Sequence, residues 1–339
     1  MRNRKISGII VLFSTFIIMQ THYVSSYEEL SNHILLRNDN GNILYVGGTG
    51  PRNFSKIQDA IDNASNNDTI FVYNDSSPYH ENIVINKSIS LYGENKTTTA
   101  IDALGSSGNA VTIKADRVVF SGFSILNWGS NIYSEIGMYI SSNNCTIVGN
   151  IFSGTYIWYG YLALNLDHSN DNLISGNIVS HCILGITMDY CSRNNISKNF
   201  ITDTFEAGIL LYLSHDNNIS KNLIVNNSLA MRLENSKYNK INFNEISNNI
   251  YGMDIITSVQ NIITKNNFRN NVRYHVFDVF SVKAFWRNSW DANYWNRTRL
   301  LPKIIFGLLD LPGNNYISIP WLNVDWHPAK KPYNIPLLT

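Results

Sequence analysis

A pattern that returns every 22 or 23 residues over residues 163–268 most constrains what this chain can fold into. Its register is set by Ile174, Ile196, Ile219, Ile241 and Ile263. An asparagine lies three residues after each isoleucine, and another lies two residues before it. A small residue lies five residues before each isoleucine, and Ala or Gly lies eleven before it. Because these columns share one register, the sequence is that of a repeat protein.

Within each unit the apolar residues alternate, as Leu164 and Leu166 do, and as Met231 and Leu233 do. A spacing of two is typical of a strand that buries one face, not of a helix. Short units divided by Asn, Ser and Gly predict the coils of a β-solenoid, with strands about 4.8 Å apart. The Asn columns fit such coils, because stacked amides form ladders and Asn tolerates the left-handed backbone of a sharp corner.

The charge of the chain is nearly balanced, with 26 Lys and Arg against 25 Asp and Glu and a formal net charge of +1. Beyond the first five residues there is no block of Lys or Arg. Binding of nucleic acid depends on clustered cations, so we expect no nucleic-acid partner. A solenoid grows in one dimension, so the 339 residues need no second core.

Residues 1–26 predict a signal peptide, since Arg2, Arg4 and Lys5 precede an apolar run at 6–19 and small residues follow at 24–26. The run is short for a membrane span, so we expect a secreted or cell-surface protein without a span once the signal is removed. The alternative is that the segment remains as an uncleaved N-terminal anchor. Residues 27–41 are expected to form a polar linker.

The three cysteines are expected to be free thiols. Cys191 replaces the serine of its column, and Cys145 stands where the Asn column would be. The two lie about two coils apart, which exceeds the roughly 7 Å that a disulfide tolerates between Cα atoms. Cys182 belongs to another side of the coil.

Residues 42–68 predict a first strand and a short helix that covers the open end of the solenoid. Ile57, Ala60, Ile61 and Ala64 have helical spacing, and Ser55 is placed to cap the helix. The parallel β-helix itself is expected over residues 69–285. Two of its coils have 27 residues, so they carry extra loops, which fall in the aromatic-rich segments 127–133 and 156–161.

Residues 286–339 form a Trp- and Pro-rich tail that holds five of the seven tryptophans. We expect a cap that buries the last coil, because bare strand edges recruit other chains. The alternative is an aromatic platform for sugar rings.

Three parts of the sequence carry a family resemblance: YVGG through FSKIQDAIDNASNNDTIFVY, YHENIVINKSISLYGENKTTTAIDA and VVFSGFSI; the N-x-I-x-x-N repeats; and WDANYWNR with IPWLNVDWHPAKKPYNI. They resemble exported β-helix proteins of the NosD or pectin-lyase-like type, common among archaeal surface proteins. The resemblance implies an all-β fold, a right-handed parallel β-helix of about 22-residue coils with an N-terminal capping helix and an aromatic C-terminal cap. It implies little about activity, because this fold hosts many functions.

The motifs of the family's enzymes are absent. The sequence has neither the Asp-Asp and Gly-His-Gly motifs of polygalacturonases nor the Asp-Pro-His-Glu motif of alginate epimerases. Tyr79-His80-Glu81 resembles the latter only superficially and is interpreted as structural.

Copper delivery is the role that the NosD resemblance adds. Copper favours Cys, Met and His gathered together, and the nearest grouping is His181, Cys182, Met188 and Cys191. Met188 and Cys191 fall in inward columns, so we expect neither a metal site nor another cofactor.

The outward columns provide the candidate site. Asp167, Asp189, Tyr212 and Glu234 lie seven residues before successive register positions, and Arg232 lies two residues before Glu234. Stacked carboxylates repel each other, so a structural role does not favour them, whereas a cation or a hydroxyl-rich ligand does. These five residues are therefore predicted to bind a substrate, and the alternative is that they form an ordinary solvated surface. The spacing of the acids leaves both retaining and inverting glycosidase chemistry open.

The main functional hypothesis is an exported cell-surface β-helix that acts as a non-catalytic carbohydrate-binding or structural, adhesive module. Its expected partner is a polysaccharide or surface glycan. The first alternative is a polysaccharide lyase, hydrolase or epimerase, and the second is a NosD-like copper-delivery protein.

Overall fold

The structure, a computed structural model, describes residues 41–103, 108–128, 135–154, 162–281, 287–310 and 318–335. These residues contain 29 strands and one helix. The expected signal peptide, almost all of the linker and most of the two aromatic insertions lie outside them. The strands stack in parallel along three faces, which confirms the predicted parallel β-solenoid.

The first face is a sheet of eleven strands that carries the register isoleucines. Its strands are β1 (Ile43–Val46), β2 (Thr69–Val72), β4 (Ser90–Gly93), β7 (Val119–Ser121), β10 (Thr146–Val148), β13 (Leu173–Ser175), β15 (Asn195–Ser197), β17 (Asn218–Ser220), β20 (Lys240–Asn242), β23 (Ile262–Thr264) and β26 (Ser289–Asp291).

The second face follows the first in each coil. Its strands are β5 (Ala100–Asp102), β8 (Ser124–Leu126), β11 (Ile151–Ser153), the first half of β14 (Ile178–Asp189), the first half of β16 (Phe200–Tyr212), β18 (Leu223–Val225), β21 (Glu245–Ser247), β24 (Asn267–Arg269) and β27 (Tyr294–Trp295).

The third face completes the coil and carries the candidate site. Its strands are β3 (Ile83–Ile85), β6 (Val111–Ile113), β9 (Ile136–Ile140), β12 (Leu162–Asp167), the second halves of β14 and β16, β19 (Leu229–Glu234), β22 (Tyr251–Ile256), β25 (Tyr274–Ser281), β28 (Lys303–Asp310) and β29 (Ser318–Asp325). Because β14 and β16 run across the corner without a break, the second and third faces form one sheet of eighteen strands.

The core lies between the three faces and is built from the predicted inward columns. The register isoleucines are completely buried, and so are the alternating residues of the third face, such as Leu164, Leu166 and Leu211. Burial of one Leu or Ile side chain contributes about 1.5–3 kcal/mol, so columns repeated over many coils dominate the stability of the fold.

The predicted Asn columns are hydrogen-bonded ladders. Asn199 donates from its backbone N–H and from Nδ2 to Oδ1 of Asn222, both at 3.0 Å, and Asn222 repeats this toward Asn244 at 3.0 and 2.9 Å. Each amide also donates to a carbonyl of the preceding coil, as Asn222 does to Ile196 at 2.9 Å. The corners are thus sealed by buried amides with almost complete hydrogen bonding, as a polar group in a dry interior requires.

The helix α1 (Ile57–Asn63) lies at the N-terminal end, as predicted, but Ser55 does not cap it. The carboxylate of Glu81 accepts hydrogen bonds from the backbone N–H groups of Ile57 and Gln58, at 2.8 and 3.0 Å. A carboxylate at a helix N-terminus satisfies its free N–H groups and complements its dipole. Glu81, which precedes β3, therefore replaces the local cap, and the structural interpretation of the segment at 79–81 is consistent with this role.

All three cysteines are unpaired and buried, as predicted. The backbone N–H of Cys145 donates to Oδ1 of Asn172 within the Asn column, and its Sγ lies 3.3 Å from Oγ of Ser142. Cys191 occupies the serine ladder, where its Sγ lies 3.3 Å from the carbonyl oxygen of Leu166.

The parallel stacking continues past residue 285, where the sequence pattern stops. Trp290 pairs with Ile263, Trp295 pairs with Phe268, and β28 pairs in parallel with β25. In this last coil, tryptophan side chains therefore occupy the inward positions that Ile263 and Phe268 occupy in the coil before it. The antiparallel strand β29 then closes this end against β28.

Candidate functional site

The candidate site lies on the outward positions of the third face, at its junction with the first. Asp167 pairs with Asp189, Asp189 with Tyr212, and Tyr212 with Glu234, so the four lie in one row across adjacent strands. Arg232 lies in the neighbouring row, where it pairs with Asp254. The structure brings all five predicted residues onto four consecutive strands, about 4.8 Å apart.

Asp167 is held by two aromatic neighbours. The hydroxyl of Tyr139 donates to Oδ2 of Asp167 at 2.7 Å, and Nδ1 of His168 lies 2.6 Å from Oδ1. Burial and the carboxylate of Asp167 raise the pKa of Tyr139 to about 12, so its hydroxyl keeps its proton and remains a donor. Asp167 itself is partly exposed, which leaves it accessible to a ligand.

Asp189 occupies a drier position in the same row. Burial raises the pKa of its carboxyl, and the charge of Asp167 raises it further. A hydrogen bond from Nδ2 of Asn165, at 2.7 Å, lowers the pKa and partly opposes this shift. The two acids therefore differ in environment, although they are side by side. A proton remains on Asp189 at a higher pH than is usual for aspartate, which relieves the repulsion between them.

A short aromatic stack borders this row at the corner. The ring of His168 stacks on Tyr190 at 4.8 Å and 12°, and Tyr190 meets Tyr212 edge-on at 5.8 Å. His168 and Tyr190 have φ near +48° and +56°, the left-handed conformation that turns the chain from the third face to the first. The turn thereby presents flat rings beside the two carboxylates.

Arg232 is the cation at the other end of the site. Its guanidinium lies 3.6 Å from Glu206 and 3.5 Å from Asp254, and its Nε is buried with no hydrogen-bond partner among the described residues. Asp254 also accepts a hydrogen bond from the hydroxyl of Tyr274. Two loose ion pairs and an unsatisfied N–H leave Arg232 with donor capacity for a ligand.

Three residues that complete the site were not predicted. Tyr139 lies 28 residues before Asp167, across one of the longer coils, so the 22-residue register did not place it there. Glu206 follows a register shift between β14 and β16, and the 23-residue spacing from Ile196 to Ile219 is the only sequence signal of that extra residue. Tyr274 lies one coil beyond the last repeat that the pattern covers.

A family model described as "Periplasmic copper-binding protein (NosD)" matches residues 61–305. The chain belongs to the NosD family.

Known proteins share parts of this NosD chain. A protein described as "Cell surface glycoprotein", from Methanothermus fervidus, is 33% identical over 106 residues, which are 31% of this chain and 17% of that protein. The solved structure of DFA-IIIase from Arthrobacter chlorophenolicus A6 without its lid has a TM-score of 0.57 and 11% identity, and the match covers 75% of this chain and 80% of that one. The enzymatically active domain of bacteriophage CBA120 tailspike protein 2 has a TM-score of 0.51 and 17% identity, over 80% of this chain and 43% of that one. At these identities the solved structures share the fold alone.

The copper in the family's description does not fit the residues that the structure describes. Nowhere do these gather three or more His, Cys, Asp or Glu side chains as metal ligands, so His181, Cys182 and Cys191 do not form a site. Burial raises the pKa of the Cys182 thiol, and it raises that of Cys191 to about 12. Both sulfurs are therefore protonated when no metal is bound.

Among the residues with a described structure, no helix has the length and apolar character needed to cross a bilayer.

Proposed function

We propose that this NosD-family protein is an exported cell-surface β-helix that binds a hydroxyl-rich polysaccharide along the third face without cleaving it. One observation carries the proposal: Asp167, Asp189, Tyr212 and Glu234 form an unbroken outward row on four consecutive strands, with Arg232 beside it. Its surface location is supported by the likeness to the "Cell surface glycoprotein" of Methanothermus fervidus.

The chemistry of the row suits sugar hydroxyls. Carboxylates accept hydrogen bonds from hydroxyl groups, Arg232 donates to their oxygens, and the rings of Tyr190 and Tyr212 offer apolar faces with polar edges. A sugar chain parallel to the solenoid axis meets a new strand about every 4.8 Å, close to one row of contacts per ring. A neutral polysaccharide is favoured over an anionic one, because the acids near Arg232 outnumber it.

The test is a glycan array on the purified protein, followed by titration calorimetry with a glycan that binds. Asp189→Ala with Arg232→Ala is expected to weaken binding by a kcal/mol or more for each charged hydrogen bond lost. The matched control is Asp216→Ala with Lys221→Ala, which removes an exposed acid and an exposed base from outside the row. If both double variants bind like the wild type, the glycan lies elsewhere and the proposal is wrong.

Hydrolysis of the bound polysaccharide is a second candidate, favoured by the unequal environments of Asp167 and Asp189. Burial raises the pKa of Asp189, whereas Asp167 accepts a hydrogen bond from the hydroxyl of Tyr139. A general acid and a nucleophile or base need such a division. If the protein is an enzyme, the wild type is expected to release reducing ends from the bound glycan, and Asp189→Asn is expected to bind the glycan without releasing them. A glycan that binds the wild type but is not cleaved after incubation for days contradicts this candidate.

A further inference from the structure

The C-terminal end of the solenoid has an exposed apolar surface that the proposed function does not use. Leu300 and Leu301 are consecutive, and 88% and 76% of their surfaces are exposed. Phe306 and Trp326 are each 65% exposed, and Leu322 is about half exposed. Contiguous apolar side chains of this size on a protein surface mark an interaction site.

These residues lie together because of the hairpin formed by β28 and β29. Lys303 pairs with Asp325, so the loop before β28 lies beside the segment that follows β29 and begins with Trp326. The hydroxyl of Thr298 donates to the carbonyl oxygen of Lys330 at 2.9 Å and joins the two segments directly. Farther along the hairpin, Phe306 pairs with Leu322, which extends the apolar surface over both strands.

Cations flank the two leucines along the chain. Arg297 and Arg299 lie in the loop that holds them, and Lys303 begins β28, where its Nζ is 5.8 Å from the centre of the Trp295 ring. The exposed Lys330 and Lys331 come from the opposite segment. We call this region, residues 297–303 with 326–331, the basic end.

The cations of the loop are crowded and lack acidic partners. None of Arg297, Arg299 and Lys303 forms an ion pair with a described carboxylate. Burial lowers the pKa of Lys303, and the charges of Arg299 and Arg297 lower it further. Nε of Arg299 is buried and has no partner among the described residues. Like charges held together in this way favour an anionic ligand.

The nearby carboxylates are already engaged. Asp325 is buried and accepts three hydrogen bonds, from the backbone and side chain of Asn293 and from the indole of Trp295. Asp291 lies 2.8 Å from Nδ1 of His327. Neither neutralises the loop.

We propose that the basic end docks on the surface of a lipid bilayer that carries anionic headgroups. Leu300 and Leu301 enter the apolar layer, Trp326 lies at the interface that tryptophan prefers, and the Arg and Lys side chains meet the headgroups. The solenoid then stands with its C-terminal end toward the membrane, and the third face remains accessible.

A bilayer fits this surface better than other occupants do. A second copy docked through the same end places one set of cations against the other, which repels. An acidic polymer in water pairs with the cations but leaves both leucines exposed. A surface of anionic lipid satisfies the charges and buries the leucines together.

The test is co-sedimentation of the full-length protein with vesicles of equal parts phosphatidylglycerol and phosphatidylcholine, and with vesicles of phosphatidylcholine alone. Wild type is expected to bind the anionic vesicles. Each cation near such a surface contributes about 1 kcal/mol, so changes of the exposed cations, Arg297→Gln and Lys331→Gln, are each expected to reduce the partition coefficient about fivefold. Leu300→Ser with Leu301→Ser is expected to reduce it at least tenfold, because apolar burial is lost.

The control carries Val272→Ser, Lys198→Gln and Lys221→Gln, which change an exposed apolar residue and two exposed lysines elsewhere. It is expected to bind the vesicles like wild type, and circular dichroism checks that each variant is folded. Loss of binding in the control, no binding of wild type to anionic vesicles, or equal binding to phosphatidylcholine alone overturns the proposal. The proposal is also overturned if the leucine variant binds the anionic vesicles like wild type and soluble polyglutamate prevents that binding completely, because the ligand is then an acidic polymer. Concentration-dependent dimers that the leucine variant loses, without vesicle binding, point instead to a second copy.

Discussion

Asn293 donates both its backbone N–H and its side-chain amide to Oδ2 of Asp325, at 3.0 and 3.2 Å. Every earlier asparagine in this ladder makes the same pair of bonds to the next asparagine. A carboxylate on the closing strand therefore occupies the place of one more amide. Its oxygen accepts the last donors of the ladder, and unlike an amide it carries no N–H group that could donate to a further coil.

The first prediction is that Asp325→Ala destabilises the protein by about 3–5 kcal/mol, because it leaves three buried N–H donors without an acceptor. Asp325→Asn keeps an oxygen in place and is expected to recover most of that loss. Urea unfolding, followed by circular dichroism, measures both. Equal stability of wild type and Asp325→Ala contradicts the role of Asp325 as the end of the ladder.

The second prediction concerns the middle of the ladder. Asn222→Ala removes the acceptor for two donors of Asn199 and the donor for the carbonyl of Ile196, so we expect a loss of about 2–4 kcal/mol. The matched control is Asn242→Ala on the outward side of the first face, where the amide makes a single long contact of 3.5 Å with Asn218. That change is expected to cost less than about 0.5 kcal/mol. Similar losses in the two variants disprove the ladder as a source of stability.

The third prediction is a dependence of stability on pH that Asp278 causes. This residue takes an inward position next to the last coil, where burial raises its pKa to about 7 while a hydrogen bond from Asn288 lowers it. The folded protein then holds a proton that the unfolded chain has lost. Stability due to this group is full below about pH 4 and falls as pH rises through about 7, by on the order of 2–4 kcal/mol.

The matched variant is Asp278→Asn, which has no such titration. His275 gives the opposite slope below about pH 6.5, because burial lowers its pKa to about 4 and the folded state favours its neutral form. The difference between wild type and Asp278→Asn cancels that contribution. The variant is expected to gain stability relative to wild type between about pH 5 and about pH 8. A constant difference over this range contradicts the prediction.

The fourth prediction is that all three cysteines react with iodoacetamide after unfolding without reductant, and that none reacts readily in the native protein. Burial raises the pKa of the thiols of Cys145, Cys182 and Cys191, so the nucleophilic thiolate is scarce. Mass spectrometry counts the added groups. A mass lower by two hydrogens, with only one site alkylated, reveals a disulfide and contradicts the assigned columns.

The ladders were predictable because each depends on one residue type at one offset. The columns of Asn172 and Asn177 recur in five successive units of the sequence and could be found by spacing alone. A third ladder, Asn227 with Asn249 and Asn271, was missed because it spans only three coils. The position of Asp167 beside Asp189 followed from the same register.

What could not be predicted depends on contacts between segments whose spacing varies. Glu81 caps a helix that begins 24 residues earlier, and nothing local marks it as the partner of Ile57. Tyr139 reaches Asp167 across a coil lengthened by an insertion. Trp290 continues the isoleucine column after 27 residues with a side chain of another shape, so the sequence pattern ends one coil before the parallel stacking does.

The ladders also have a direction: each coil donates to the side chain of the coil after it. An interior coil accepts from one neighbour and donates to the other in the same way, so a whole coil can be added or removed between two others without leaving an unpaired donor. Removal from the C-terminal end is different, because it takes away Asp325 and exposes a row of amides that need an acceptor. The length of such a protein can therefore change in evolution, or in design, by duplication of internal units while the closing strand is inherited unchanged.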